Sequence, residues 1–198
     1  MSRNRLVVAT LLFGLSLLAG GCATTNVSTS YYDISGTSSK ELDREINRKG
    51  PTTHQGKAIA TAAISMKPLA FDLDRRGGRC SIRRVKFGID ANITLPRWRE
   101  EALTKDKNLR RNWKGFAAYA RAHEEAHVEI AKAFVRLLEK ELLAIPPQPT
   151  CEALKTRSRR ITKRLGRLHE EAQNAFDASE KTRIARILAD AKQTKKNS

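Results

Sequence analysis

Val85-Lys86-Phe87-Gly88-Ile89-Asp90-Ala91-Asn92-Ile93-Thr94-Leu95 alternates apolar with polar or small residues along its whole length. A period of two places successive side chains on opposite faces of a strand, so this stretch reads as a strand with one buried and one wet face, ended by Pro96. Beyond it the period changes to about 3.6. Trp113, Phe116, Ala120, His127, Ile130, Phe134 and Leu137 fall near one stripe of a long helix, which Ile145-Pro146-Pro147 must stop at about Ala144. A second long helix from about Cys151 carries Leu154, Ile161, Leu165, Leu168, Ala172 and Phe176 as its stripe, and the short proline link predicts antiparallel packing against the first.

Upstream, Tyr31-Tyr32-Asp33-Ile34-Ser35-Gly36 reads as a short strand and Ser38 to Arg48 as a helix closed by Gly50-Pro51. Ala58 to Leu73 is apolar and β-compatible and ends in a turn at Asp74-Arg75-Arg76-Gly77-Gly78. Strands before helices argue an α+β domain: a small antiparallel sheet followed by two long packed helices. No internal repeat is visible.

The 198 residues allow one domain with a core large enough to fold without metal or disulfide. Its start reads as an export signal: Arg3 and Arg5 precede an apolar run, Leu6 to Leu18, that ends in small residues before Cys22. That run is too short for a comfortable membrane span. The small residues before Cys22 are similar to the lipobox of bacterial lipoproteins, which implies a lipidated Cys22; plain secretory cleavage nearby is the alternative. The expected organisation is a signal over 1–21, a lipidated cysteine and polar tether over 22–30, the domain over 31–190, and a basic tail over 191–198.

Export leaves Cys80 and Cys151 as a pair in an oxidising compartment, where an even remainder suggests a disulfide; two buried thiols are the alternative. The formal charge of +17 would put nucleic acid first among partners of a cytosolic chain. Export demotes that partner, and the last quarter, from Cys151, carries 13 Lys or Arg against 6 Asp or Glu with few aromatics to stack on bases. Anionic envelope surfaces or acidic substrates fit better, and a solvated basic helix face accounts for the same charges.

The first long helix contains His123-Glu124-Glu125-Ala126-His127. HExxH on a helix sets two imidazoles one turn apart on a single face, a geometry that binds zinc. In that reading His123 and His127 are metal ligands and Glu124 is the general base for a metal-activated water. A working site needs a third His, Asp or Glu from elsewhere in the chain. The competing reading is a solvated helix whose His and Glu residues are surface groups.

Several segments together resemble a bacterial family first filed as a domain of unknown function, whose members are described as predicted secreted zinc-dependent proteases. They are the Tyr-rich strand ending at Gly36, Gly50-Pro51, Cys80 before the alternating strand, Leu95-Pro96-Arg97-Trp98, the HExxH helix, Cys151, and Gln173-Asn174-Ala175-Phe176-Asp177. The resemblance covers about Tyr31 to Arg183. It implies an exported metallopeptidase with a zincin-like HExxH helix, His123 and His127 as ligands, Glu124 as base, and Cys80 bridged to Cys151. Family members typically follow the aromatic-Asp pair with a Thr and a late His-Gly. Here Thr182 and Arg183 stand where that His and Gly would be. Asp177 is then the expected third ligand and His169 its competitor, with His54 a weaker candidate. Counted from the proline turn, Asp177 lies roughly 12 Å deeper than the histidines at 1.5 Å per residue, so it needs a bend near Phe176, whereas His169 is level with the motif.

The expected function is an exported zinc-dependent peptidase acting on a peptide or envelope polymer, lipid-anchored in the cell envelope and without a nucleic-acid partner. Two alternatives remain. One is a catalytically silent envelope lipoprotein using the same fold for binding, and the other is a basic adaptor whose last helix binds anionic polymer.

Overall fold

The computed structural model describes residues 24–53 and 56–196, with side chains through residue 187. Met1 to Ala23, with Cys22 and the signal run, and His54 lie outside the described residues. The elements run β1 (Thr24–Ile34), α1 (Ser39–Lys49), β2 (Thr52–Thr53), β3 (Gly56–Lys57), β4 (Thr61–Asp74), β5 (Ser81–Trp98), α2 (Lys107–Leu143) and α3 (Cys151–Lys196). The class is α+β, a three-stranded sheet followed by two long packed helices.

The sheet order is β1-β5-β4, and the sheet is mixed where the sequence reading expected an antiparallel one. β4 and β5 form an antiparallel hairpin, but β1 runs parallel to β5 from Thr24 opposite Gly88 to Ile34 opposite Trp98. The polar stretch read as a tether, Thr24 to Ser30, is therefore strand. Cross-strand polar pairs hold it in place of an apolar face: Asn92 Nδ2 donates to Ser28 Oγ at 2.9 Å and Ser30 Oγ to Asn92 Oδ1 at 3.0 Å. Nor does Pro96 end β5, which continues to Trp98. β4 begins at Thr61 opposite Thr94, so Pro96 lies beyond that ladder, with β1 as its one strand neighbour, where a missing N–H is tolerated.

One face of β5 packs on α2. Ile89, Ala91, Ile93 and Leu95 are buried with Ala120, Val128, Ala131 and Val135, and the alanines let the helix lie close to the sheet. This buried stripe is rotated about one position from the expected one: Val128, Val135 and Leu138 face the sheet, His127 and Phe134 turn toward α3, and Leu137 is exposed. A second cluster joins Ile34, Leu42, Ile46, Trp98, Leu109 and Trp113, tying α1 to the start of α2. Buried Glu139 clamps α2 to β5, its Oε1 accepting the Phe87 amide at 2.7 Å.

α2 begins at Asp106, whose carboxylate caps the Asn108 and Leu109 amides, and it stops before Pro146-Pro147. The link then pairs with β5's entry, where Cys80 and Gln148 exchange backbone hydrogen bonds at 2.7 and 2.8 Å. A Cys80–Cys151 disulfide pins the first residue of α3 beside them. α3 returns antiparallel to α2 as one unbroken helix.

Candidate metal centre

His123 and His127 sit one turn apart on the side of α2 that meets α3, and Asp177 faces them from α3. Their ligand atoms form a small triangle: His123 Nε2 to His127 Nε2 is 3.2 Å, His123 Nε2 to Asp177 Oδ1 is 3.2 Å, and His127 Nε2 to Asp177 Oδ1 is 3.0 Å. Four tetrahedral ligands at about 2.0–2.1 Å from a zinc ion lie about 3.3–3.4 Å from one another. The triangle is thus close to one face of such a tetrahedron, and its two imidazole nitrogens and one carboxylate oxygen are donors that suit a borderline metal.

Asp177 arrives without the bend that its depth demanded. His127 lies 16 residues before the end of α2, whereas its partner Gln173 lies 22 residues after the start of α3. α3 therefore starts some six residues, about 9 Å, beyond the end of α2. The proline link, paired with Cys80 through Gln148, and the disulfide at Cys151 lie within that overshoot. His169, level with the motif when both helices are counted from a symmetric turn, is instead displaced a turn toward the hairpin end.

Gln173, quoted in the late motif but given no role from sequence, organises the site. Its Oε1 accepts from His127 Nδ1 at 2.5 Å, and its Nε2 reaches the His127 carbonyl at 3.1 Å and His169 Nε2 at 2.9 Å. With Nδ1 of His127 engaged as donor, Nε2 is left with its lone pair toward the triangle. The same amide occupies His169, whose ring packs on Phe134 rather than reaching the triangle. Phe176 closes one side against both imidazoles, with centroids 4.9 and 5.1 Å away. Burial, then the neighbouring His127, lowers the pKa of His123 and favours the neutral ring that a metal requires. Its Nδ1 is buried with no hydrogen-bond partner among the described residues.

Glu124 follows His123 and therefore points about a quarter-turn away, toward the sheet. It is 6% exposed, and its carboxylate accepts the Ala62 amide. Burial pushes its pKa up to about 7, with Asp177 adding to the rise while His127 and the Ala62 bond oppose it. Glu125, the second acid of the motif, is exposed and faces Arg121 at 3.8 Å. Thr182, where the late His was expected, bonds back to Ala178 O at 3.0 Å within its own helix. Arg183 does reach the site's edge: it binds Glu180 and lies over the ring of Tyr119, whose hydroxyl donates to Glu180 at 2.8 Å. These bonds, Arg183 first, hold the Glu180 carboxyl down to about 2. Sequence reading missed this trio, since no motif links residues 61 positions apart.

The fold and the triangle together define an α+β protein with a His-His-Asp group that could hold a metal. The chain belongs to the family described as "Bacterial protein of unknown function (DUF922)", which it matches over residues 29–183. No curated protein and no solved structure matches it. The Cys80–Cys151 bridge is of the kind that persists in extracytoplasmic compartments. Among the described residues no helix is long and apolar enough to cross a membrane.

Proposed function

We propose that this protein is an exported zinc-dependent peptidase that hydrolyses a peptide-type bond, with His123, His127 and Asp177 as ligands and Glu124 as general base. The observation that carries the reading is the triangle of Nε2, Nε2 and Oδ1 atoms at 3.0 to 3.2 Å. Three protein donors leave a fourth tetrahedral position for a reactant, the arrangement of catalytic rather than structural zinc sites. Zinc held there would polarise the scissile carbonyl and acidify the attacking water. Glu124, buried and next in the chain to His123, would take that water's proton and pass it to the leaving amine. Gln173 fixes the His127 ring, and Phe176 shields the ligands from bulk water.

On this reading the substrate is a peptide or a peptide-bearing envelope polymer, and a lipid on Cys22 holds the enzyme at the cell envelope. The position of Asp177 beside both imidazoles supports this reading over the silent-lipoprotein alternative, which rested on an incomplete donor set. Metal analysis of the exported protein, with hydrolysis of an unfolded protein substrate, tests the assignment. One zinc per chain is expected. His123→Ala and His127→Ala should each lose it, whereas Glu124→Gln should keep the zinc and lose hydrolysis. A Glu124→Gln protein stripped of zinc, or a His123→Ala protein that retains it fully, would overturn the roles.

A further inference from the structure

Far from the triangle, at the disulfide end of the helical hairpin, lies a cavity of about 660 Å³, within the range of small-molecule sites. Leu142, on its floor, is 15 residues along α2 from His127, about 22 Å at helical rise. Two β-bulges, one in β4 at Leu69 and one in β5 at Arg83, shape one wall. By shifting the register they set Phe71 opposite Val85 and Leu73 opposite Ile82, both buried, so both side chains turn to the helix side of the sheet. Yet Phe71 remains 45% and Leu73 37% exposed. Beneath them Leu142 and Leu154 are each 1% exposed, and the buried Ser158 spends its hydroxyl on the Leu154 carbonyl.

The mouth has the opposite character. Arg75 from β4's end and Lys155, Arg159 and Lys163 from successive turns of α3 surround it, with Glu152 as the one acid in the lining. Glu152 meets Lys155 at 3.7 Å, while Arg75, Arg159 and Lys163 have no acidic partner among the described residues. Nothing in the fold requires unpaired cations above exposed apolar side chains.

We propose that this cavity binds a long-chain carboxylate, its alkyl chain lying against Phe71, Leu73 and Leu154 and its anionic head held by Arg159, Lys163 and Arg75. The apolar wall accounts for the chain, and the unpartnered cations account for the charge. The inference is independent of the peptidase reading, because the two sites share no residue.

Calorimetric titration of the exported protein with hexadecanoate, below the concentration at which it aggregates, tests the proposal. Saturable one-to-one binding is expected. Hexadecanol, with the same chain and no charge, should bind at least about tenfold more weakly, the loss of one charge-assisted contact. Octanoate should also bind more weakly, since it buries half the chain. Arg159→Glu with Lys163→Glu changes two exposed side chains and should leave the melting transition in place; it should lower hexadecanoate affinity at least about tenfold and leave hexadecanol unchanged. Absence of saturable binding, equal affinity for acid and alcohol, or indifference to the double variant would overturn the proposal. So would sedimentation with phosphatidylglycerol vesicles without binding of hexadecanoate, which would make this end a membrane-contact face.

Discussion

Gln173 meets His127 twice, at the ring and at the backbone carbonyl, and meets His169 once, so a single amide separates the two histidines into different roles. Asp177→Ala should therefore weaken zinc binding far more than His169→Ala, because the Asp177 carboxylate faces both imidazole Nε2 atoms whereas His169 is engaged with the Gln173 amide. Gln173→Ala should fall between them, at about 10–100-fold, the usual effect of losing a group that orients a ligating imidazole. Competition against a zinc chelator measures all three, and a larger loss for His169→Ala would transfer the ligand assignment to it. Glu124 makes a separate prediction for the metal-free protein. Its pKa is about 7 in the fold and 4.5 ordinarily, so between those values the native state holds a proton that the unfolded chain has released. Stability associated with this group is complete below about pH 4.5, falls as pH rises through the window, and levels off above about pH 7, for a loss of up to about 3 kcal/mol. Urea unfolding of the metal-free protein against metal-free Glu124→Gln should show the two differing by this slope, and parallel profiles would refute it.

The position of α3 along α2 is set at one end and felt at the other. The Cys80–Cys151 bridge closes a span of 71 residues, for which loop-closure entropy gives about 4 kcal/mol. Its position suggests a second effect. The bridge fixes where α3 begins, and the start of α3 decides which residue lies level with the histidines. Replacing both cysteines by serine should lower unfolding free energy by about 4 kcal/mol and also weaken zinc binding, although neither cysteine lies near the triangle. Denaturation and chelator competition on the same variant separate the outcomes: a stability loss with unchanged zinc affinity would show that helix packing alone holds the register. Arg164, paired with Glu141, and Tyr119, bonded to Glu180, are the candidates for that packing along the helices.

Across the whole molecule the His-His-Asp triangle and the basic cavity occupy opposite halves of the α2–α3 hairpin and share no residue. The export reading adds a third location. Mass spectrometry of protein taken from the envelope should find a mature chain that begins at Cys22 and carries lipid, with Cys80 and Cys151 oxidised. A mature start elsewhere would remove the anchor and leave the fold unaffected. Because β1 begins at Thr24, two residues after Cys22, a lipidated start would hold the sheet edge close to the membrane, without the polar tether that the sequence reading placed between them.

Local patterns in the chain settle the elements that answer to local physics. Alternation from Val85 to Leu95 makes β5, the 3.6 period and the proline stops make α2 and α3, and HExxH spacing brings two imidazoles together whatever surrounds the helix. Parallel pairing of β1 was not legible. Its residues are polar, and their partners in β5 lie 62 to 64 positions away. Which face of α2 meets the sheet was misread by about one position, because apolar residues cover two faces and only packing assigns one to β5 and the other to α3. Asp177 was expected as third ligand because it survives from the late motif and lies on the helix expected antiparallel to α2, against a depth argument that favoured His169. Tertiary structure brings Asp177 rather than His169 to the two imidazoles, because α3 starts about 9 Å past the end of α2, an offset that helix lengths cannot encode.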